Sequence, residues 1–262
     1  MINQINSVWW LKLNALYRQV LLRGLCKPLG CIAINEYPKS GGSWLGQMLS
    51  EAVGLPFPRN KLPPLKGCVL HGHYLSDCNV SNMVIVWRDG RDVLVSQYYH
   101  YLFYNDKGNK LLVDRTRAVL GVSDPSDISA NLLPFMEAVY SGKLFPSYSW
   151  PQFVSAWLGK QCSVKYEMLR LSPAEELVRL AGELEVGELS LNRAEEIAQM
   201  YSFERLSGRK PGEVNNSSFM RKGVVGDWKN HFNLETREAF HHYAGNALIA
   251  LGYEDDGSWV AK

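Results

Sequence analysis

The sequence predicts an α/β protein, a single domain with a central parallel sheet flanked by helices. Short, uninterrupted apolar runs such as Ile32–Ile34 and Met83–Trp87 are typical of strands buried on both faces of a parallel sheet. Stretches with apolar residues three or four positions apart alternate with these runs, as they do in βαβ proteins. Polar residues suited to chemistry follow the runs, at the edge of the sheet where α/β proteins bind ligands.

Composition indicates a soluble globular protein. The 262 residues are 46% hydrophobic and 21% charged, which allows an ample core. A net charge of +2 gives no argument for a nucleic-acid partner. The five cysteines are scattered and form no C-x-x-C pair, so neither a disulfide framework nor a metal site is expected. We expect a cytoplasmic protein without a metal.

The first 30 residues contain the pattern of an amphipathic helix. Its apolar stripe comprises Trp10, Leu13, Tyr17, Val20 and Leu21. The basic residues mainly lie off the stripe, and they exclude a transmembrane span. No basic segment precedes an apolar one, so a signal peptide is not expected. We expect the helix to pack on the core of one domain spanning residues 1–262, with membrane-surface contact as the alternative.

The first half of the chain reads as strand, loop and helix in alternation. The strand at Ile32–Ile34 ends at Tyr37-Pro38, and a helix begins near Trp44. A proline-rich segment without periodicity covers residues 54–67, and long loops of this kind are often functional. Two more strands, Cys68–Leu70 and Met83–Trp87, precede a helix that continues to residue 102.

The second half is expected to be mostly helical. Residues 107–130 are polar and turn-rich, which predicts irregular structure. Helices are expected at 131–141, at 150–159, from Pro173 to Leu184, from Asn192, and at 233–251. A further buried strand is expected at Val164–Tyr166, and residues 207–226 form a loop.

The loop after the first strand has the composition of an anion site. Backbone N–H groups in a glycine turn and at a helix N-terminus point at an anion, and Lys39 adds a positive charge. The loop lacks the G-x-x-x-x-G-K-[ST] pattern, because its lysine precedes the glycines. A plain tight turn is the alternative. The residues concerned are Lys39, Ser40, Gly41, Gly42, Ser43 and Trp44.

Three further segments carry candidate residues. His71 and His73 follow the second strand. Arg88 follows the third strand and lies eight residues before Ser96, a spacing that lets a guanidinium and a hydroxyl reach one phosphate. The alternative for Arg88 is an ion pair with a nearby aspartate, and for Ser96 a position on a helix face. A late loop contains Arg221, Lys222 and Gly223, which suit an anion but also an ordinary solvated surface.

Three of these segments together resemble the sulfotransferases that use 3′-phosphoadenosine 5′-phosphosulfate (PAPS). They are YPKSG, R-D-x-R-D-V-x-V-S and R-K-G-x-x-G-D-W-K, in that order along the chain. The resemblance implies a P-loop-nucleotide-kinase-like sheet and nucleotide binding. It also implies in-line transfer of a sulfuryl group from PAPS to a hydroxyl or amine of a small-molecule, lipid or carbohydrate acceptor. The product would be adenosine 3′,5′-bisphosphate (PAP), and no metal would be needed.

The resemblance also implies residue roles. The Lys39–Trp44 loop would hold the 5′-phosphosulfate, and Trp44 would stack on the base. The 3′-phosphate would be held by Arg88, Ser96, Arg221, Lys222 and Gly223. The adenine would be contacted by Tyr166, Ser202 and Phe203. Catalysis would fall to His73 as general base, Lys39 as the cation at the leaving group, and Ser96 as a restraint on that lysine.

The sequence departs from the family pattern in the loop, in the K-T-H segment and in a dimerisation motif. The family loop is commonly KSGTTW, and here it is KSGGSW. The family's K-T-H segment appears here as LHGHY, so either His71 or His73 is the base, and His73 aligns better. A family dimerisation motif is only partly kept at residues 229–238, which leaves the oligomeric state open. The alternatives are a nucleotide kinase-like phosphoryl transferase and a nucleotide-binding module without catalysis. The acceptor is not determined by the sequence.

Overall fold

A computed structural model describes residues 13–76 and 82–261. The contacts within the chain divide it into two compact units. Unit 1 comprises the described residues of Met1–Glu36, Gly41–Trp87 and Gly159–Tyr201. Unit 2 comprises those of Tyr37–Ser40, Arg88–Leu158 and Ser202–Lys262. The single-domain organisation expected from the sequence stays a prediction.

Unit 1 contains a parallel sheet, as the sequence predicts. Its strands are β1 (Ile32–Glu36), β2 (Val69–Gly72), β3 (Met83–Trp87) and β4 (Cys162–Lys165). Their order is β2-β1-β3-β4, and every pair is parallel. All residues of β1 and β3 are buried, which explains why both read as continuous apolar runs. The chain passes from β1 to β2 on one side and then crosses to β3 on the other side of β1. The strand order therefore reverses at β1.

Besides the N-terminal helical segment, which includes a π-helix at Leu21–Leu25, four α-helices accompany this sheet among the described residues of unit 1. They are α1 (Gly42–Val53), α6 (Tyr166–Leu171), α7 (Pro173–Glu183) and α8 (Leu191–Met200). The apolar face of α1 is buried in the same cluster as Ile32 and Ile34 of β1. The strand β1 and helix α1 are therefore packed together on either side of the loop that the sequence analysis singled out.

Unit 2 is helical in its described residues. Its α-helices are α2 (Gly90–Leu102), α3 (Lys110–Leu120), α4 (Ile128–Tyr140), α5 (Trp150–Trp157), α9 (Phe203–Ser207) and α10 (Leu234–Ala250). Short 3₁₀ turns occur at Asp227–Asn230 and Gly257–Ala261. In the parts of the chain that the structure describes, no helix combines the length and the apolar composition that crossing a bilayer requires.

Two expected secondary-structure assignments were wrong. Residues 107–130 were expected to be irregular, but they contain helix α3, which buries only Val113 and Thr116. Two buried positions, one of them polar, give a sequence pattern too sparse to identify a helix. Tyr166 was expected to end a strand, but β4 ends at Lys165 and Tyr166 begins α6.

The N-terminal helical segment, residues 13–25, buries only part of the stripe that its pattern predicts. Leu21 is fully buried, but Leu13 and Val20 are more than half exposed, whereas Arg18 is 7% exposed. The Arg18 guanidinium donates to the main-chain oxygens of Arg59 and Lys61 and to the side chain of Asn14. Hydrogen bonds to main-chain carbonyls of the proline-rich loop therefore hold the charged Arg18 side chain in a buried position. The expected stripe residue Trp10 lies outside the described residues.

Candidate active site

The loop after β1 holds Lys39 in an unusual backbone conformation. Its φ is 78°, in the left-handed region that residues with a Cβ rarely adopt. The main-chain oxygen of Lys39 accepts a hydrogen bond from Arg88 Nη1 at 2.9 Å. The Lys39 ammonium lies 3.7 Å from the centre of the Phe219 ring. The left-handed backbone and the cation–π contact thus fix the orientation of the Lys39 side chain, which the sequence predicts to lie in an anion site.

Glycine is required at position 41. Its φ is 104°, and a Cβ there would lie 2.6 Å from Cδ2 of Tyr166. Tyr166, although it begins a helix rather than ending a strand, therefore lies against the loop as expected for a residue of the same site. The ring of Trp44 makes an edge contact with Tyr166, with ring centres 6.0 Å apart. The Trp44 Nε1–H donates to the main-chain oxygen of Tyr201 at 2.7 Å, which fixes the indole plane.

The loop also contains a buried hydroxyl without a hydrogen-bond partner among the described residues. Ser40 is 1% exposed, and its Oγ has no partner. A buried polar atom of this kind costs free energy unless a ligand or water satisfies it. The Ser40 hydroxyl is therefore suited to a polar ligand.

Two histidines at the end of β2 are both held by Glu36, the last residue of β1. His71 Nε2 lies 2.9 Å from Glu36 Oε1. His73 Nδ1 lies 2.9 Å from the main-chain oxygen of Glu36. The two imidazole rings meet edge to face, with centres 5.1 Å apart. The parallel pairing of β1 with β2 places Ile34 opposite His71, so these groups meet at the carboxyl edge of the sheet.

The Glu36 side chain is an ionised carboxylate in a buried position. Burial alone raises its pKa, but the hydrogen bond and charge of His71, the nearby His73 and the Gly42 N–H together hold the pKa below its ordinary value. One ligand atom from each of Glu36, His71 and His73 lies within 4.8 Å of the others, a set that could hold a metal ion. Glu36 is a residue that sequence reasoning missed. The sequence did contain a signal for Glu36, because a charged residue at the end of a buried strand needs a partner.

Arg88 and Ser96 lie where the sequence analysis placed them, after β3 and in α2. Ser96 is half-buried. Of the two aspartates offered as alternative partners for Arg88, Asp89 pairs with Arg91 at 2.7 Å, and Asp92 accepts from the main-chain N–H groups of Gly226 and Trp228. Asp92 thereby ties α2 to the late loop, and both belong to unit 2. Burial raises the pKa of Asp92, and the charge of Arg88 opposes that rise, so the two side chains interact.

The two cations of the late loop share one carboxylate. Arg221 and Lys222 both pair with Asp227, with Lys222 Nζ at 2.5 Å from Oδ1. Asp227 is 4% exposed. Burial raises its pKa, but His231 and the two cations outweigh burial and lower the pKa well below the ordinary value. The expectation of two cations in a loop omitted this counter-charge, although Asp227 stands inside the R-K-G-x-x-G-D-W-K segment.

Phe203 lies directly beside Gly223. A Cβ at Gly223, whose φ is 65°, would come within 2.3 Å of the Phe203 ring. Phe203 is 4% exposed, and Ser202 caps α9 by accepting from the main-chain N–H of Arg205 at 3.2 Å. Unit 2 therefore brings together Phe203 and Gly223, which the sequence analysis assigned to one nucleotide.

Comparison with known proteins points to one family. A family model described as "Sulfotransferase domain" matches residues 74–252, which include Arg88, Ser96 and the late loop. The β1 loop and the two histidines precede that range. Mouse sulfotransferase 1E1 is 31% identical over 177 residues, which cover 62% of this chain and 53% of that protein. The chain thus spans about half the length of the first curated relatives that it matches. Mouse sulfotransferase 1B1 is 27% identical over 80% of each chain.

Solved structures show the same fold. A mouse sulfotransferase, SULT7A1, crystallised with PAP, superposes with a TM-score of 0.62 at 17% identity over 88% of each chain. A retinol dehydratase crystallised with retinol and PAP superposes with a TM-score of 0.60 at 15% identity, covering 88% of this chain and 85% of that one. The sheet and helices expected from the sequence are therefore those of a known architecture.

Proposed function

Because the chain belongs to the sulfotransferase domain family, we propose that it transfers a sulfuryl group from PAPS to an acceptor hydroxyl or amine. The family match and the three sequence segments support this reaction. The observation that carries the proposal furthest is the loop after β1, with a left-handed Lys39, an obligatory Gly41 and a buried Ser40 hydroxyl that has no partner among the described residues.

The Lys39–Trp44 loop is the proposed holder of the 5′-phosphosulfate. Backbone N–H groups at the start of α1 and the Ser40 hydroxyl are donors suited to its oxygens. The family loop commonly has a threonine where this chain has Gly42, whose main-chain N–H donates to Glu36, and Ser43 keeps one hydroxyl. Lys39 would neutralise the negative charge that grows on the bridging oxygen as the nucleotide leaves.

The 3′-phosphate is proposed to contact Arg88, Ser96, Arg221, Lys222 and Gly223. Asp227 holds Arg221 and Lys222 in place, so the loop presents cations whose positions are set before the nucleotide arrives. The adenine would be contacted by Trp44, Tyr166, Ser202 and Phe203, and the fixed indole plane of Trp44 supports stacking on the base. Ser96 would also restrain Lys39 until the acceptor binds.

His73 is the proposed general base. A carbonyl oxygen only accepts hydrogen bonds, so the Nδ1 that contacts the Glu36 carbonyl must carry the proton. The lone pair of a neutral His73 ring then lies on Nε2, and a fixed tautomer is what a base requires. Nε2 would take the acceptor's proton as its oxygen or nitrogen attacks sulfur in line with the departing phosphate, without a metal. His71 remains the alternative base.

The proposed acceptor is a small molecule, lipid or carbohydrate, and the proposed location is the cytoplasm. An Arabidopsis relative named cytosolic sulfotransferase 12, which is 30% identical over 36% of this chain, supports that location. The exposed Leu13, Leu16 and Val20 of the N-terminal segment support the alternative of membrane-surface contact.

A thermal-shift titration with PAP, ADP and magnesium-ATP tests the donor site, using wild type and Lys39→Ala. A ligand at about 100 times its Kd adds ~2.7 kcal/mol to stability. In a protein of this size that raises Tm by roughly 5–10 °C. We expect this shift with PAP in the wild type and a much smaller one in Lys39→Ala. A shift with magnesium-ATP instead indicates a kinase. PAP binding without sulfate transfer to any acceptor in a broad screen indicates a binding module.

A further inference from the structure

The last residue of β1 has an unusual pair of contacts. The side chain of Glu36 is 5% exposed, and each of its oxygens accepts a hydrogen bond. Oε1 contacts His71 Nε2 at 2.9 Å, and Oε2 contacts the main-chain N–H of Gly42 at 2.5 Å. One carboxylate therefore links the end of β2 to the first residue of α1, and all three residues belong to unit 1.

Gly42 is the residue that makes this link sterically possible. A Cβ at position 42 would lie 2.8 Å from Cδ of Glu36 and 3.0 Å from Nε2 of His71. Any larger residue there would push the carboxylate and the imidazole apart. The sequence departs from the family pattern both at Gly42 in the loop and at His71 in the K-T-H segment. A single contact accounts for both, because the glycine makes room for the pair that includes the histidine.

The orientation of His71 is set from several sides. Glu36 holds its Nε2, the ring of Phe57 packs edge to face at 6.4 Å between centres, and the ring of His73 does so at 5.1 Å. An ionised carboxylate is an acceptor, so Nε2 of His71 carries a proton. The lone pair of a neutral His71 ring then lies on Nδ1, whereas that of His73 lies on Nε2.

We propose that Glu36 is a positioning residue for sulfuryl transfer, which orients His73 through its main-chain carbonyl and His71 through its carboxylate. This inference rests on the proposed function. It adds His71 to the proposed active site, as a second imidazole of fixed orientation beside the proposed base His73. It also assigns Gly42 two roles, which are to leave room for the Glu36 side chain and to donate its main-chain N–H to that carboxylate.

Glu36→Gln is the sharpest test because glutamine keeps the shape but offers one acceptor oxygen and one amino group. Gly42 N–H and His71 Nε2–H are both donors, so they cannot both keep an acceptor, and His71 exchanges an ionised carboxylate for a neutral amide whichever way the glutamine side chain turns. The measurement is ¹⁵N NMR of histidine-labelled protein, with His71→Gln and His73→Gln used to assign the signals. We expect the His71 ring signals to move and those of His73 to keep the Nδ1–H pattern, because a main-chain carbonyl survives the substitution.

Turnover supplies the second readout. At saturating donor and acceptor, kcat of Glu36→Gln is expected to fall about 10- to 100-fold, the usual cost of losing a group that hydrogen-bonds and orients a functional histidine. Glu51→Gln is the matched control, since Glu51 lies in α1 and pairs with Arg193 at the surface. Gly42→Ala should move the same His71 signals with Glu36 intact, whereas Gly182→Ala, a helical glycine with open space around it, should not.

Two results would overturn the inference. His71 signals that are identical in wild type and Glu36→Gln would show that the carboxylate does not orient the ring. A wild-type kcat in Glu36→Gln despite moved His71 signals would show that this orientation does not serve sulfuryl transfer. If no acceptor is ever sulfated, the proposed function fails, but the NMR comparison still decides the Glu36–His71 relationship because it needs no turnover.

Discussion

Arg88 Nη1 donates a hydrogen bond to the main-chain oxygen of Lys39 at 2.9 Å. The contact joins the residue that follows β3 to the strained loop that follows β1. The sequence offered Arg88 only as a phosphate ligand or as the partner of an aspartate. In the structure it also supports the left-handed backbone of the lysine that we propose to act on the leaving group.

Arg88→Ala should therefore weaken PAP binding. Loss of a charge-assisted hydrogen bond costs about 1.5–3 kcal/mol, so the Kd measured by titration calorimetry is expected to rise roughly 10- to 100-fold. Arg115→Ala, at an exposed position of α3, is the control and should leave the Kd unchanged. An Arg88→Ala protein with wild-type affinity for PAP would remove Arg88 from the donor site.

His73→Ala should abolish most of the catalysis while the nucleotide still binds. Loss of a general base lowers kcat by ~10²–10⁴, and the PAP-induced thermal shift should persist. His242→Ala changes an exposed histidine and serves as the control. If His73→Ala keeps more than half of the wild-type kcat while His71→Ala is inactive, the two histidine assignments must be exchanged.

Gly41→Ala should be far more damaging than an ordinary glycine substitution. The new Cβ would meet the Tyr166 ring at 2.6 Å and would sit on a backbone with φ of 104°. Strain of this kind costs about 1–3 kcal/mol, and displacement of Tyr166 should remove the PAP-induced thermal shift. Gly121→Ala has a positive φ but open space, so it should lose stability without losing PAP binding. Equal effects of the two substitutions on binding would contradict the contact with Tyr166.

Asp227→Asn should destabilise the protein in a pH-dependent way. At pH 7 the free energy of unfolding is expected to fall by on the order of 3 kcal/mol, because Arg221 and Lys222 lose a buried counter-charge. The folded-state pKa of Asp227 lies below the unfolded value of about 3.9, so this stabilisation is present above that value and is lost as the pH falls further toward the folded pKa.

Urea unfolding of Asp227→Asn and wild type at pH 7 and at pH 3 measures this effect. The two free energies of unfolding should differ at pH 7 and move closer together in acid. Asp114→Asn, which removes a solvent-screened pair with Lys110, should leave the free energy of unfolding nearly unchanged at either pH. A difference between Asp227→Asn and wild type that stays constant with pH would refute the ion-pair explanation.

The strands were predictable because burial on both faces leaves a continuous apolar run, as in β1 and β3. Helix α3 was not predictable, because only Val113 and Thr116 are buried and its pattern is mostly polar. The N-terminal segment was only partly predictable. Leu21 of its apolar stripe is buried, but hydrogen bonds to the proline-rich loop also bury the charged Arg18, while Leu13 and Val20 stay exposed.

Sequence alone determined the class of fold, the family resemblance and most of the candidate site. Strand ends and glycine turns are local features, and Lys39, Arg88, His71 and His73 could be placed from them. Only the tertiary structure decided which groups meet. Glu36 and Asp227 were overlooked because a carboxylate gains its role from partners distant in the chain or brought close by a turn. The tautomers of the two histidines follow from contacts with Glu36 that spacing along the chain does not encode.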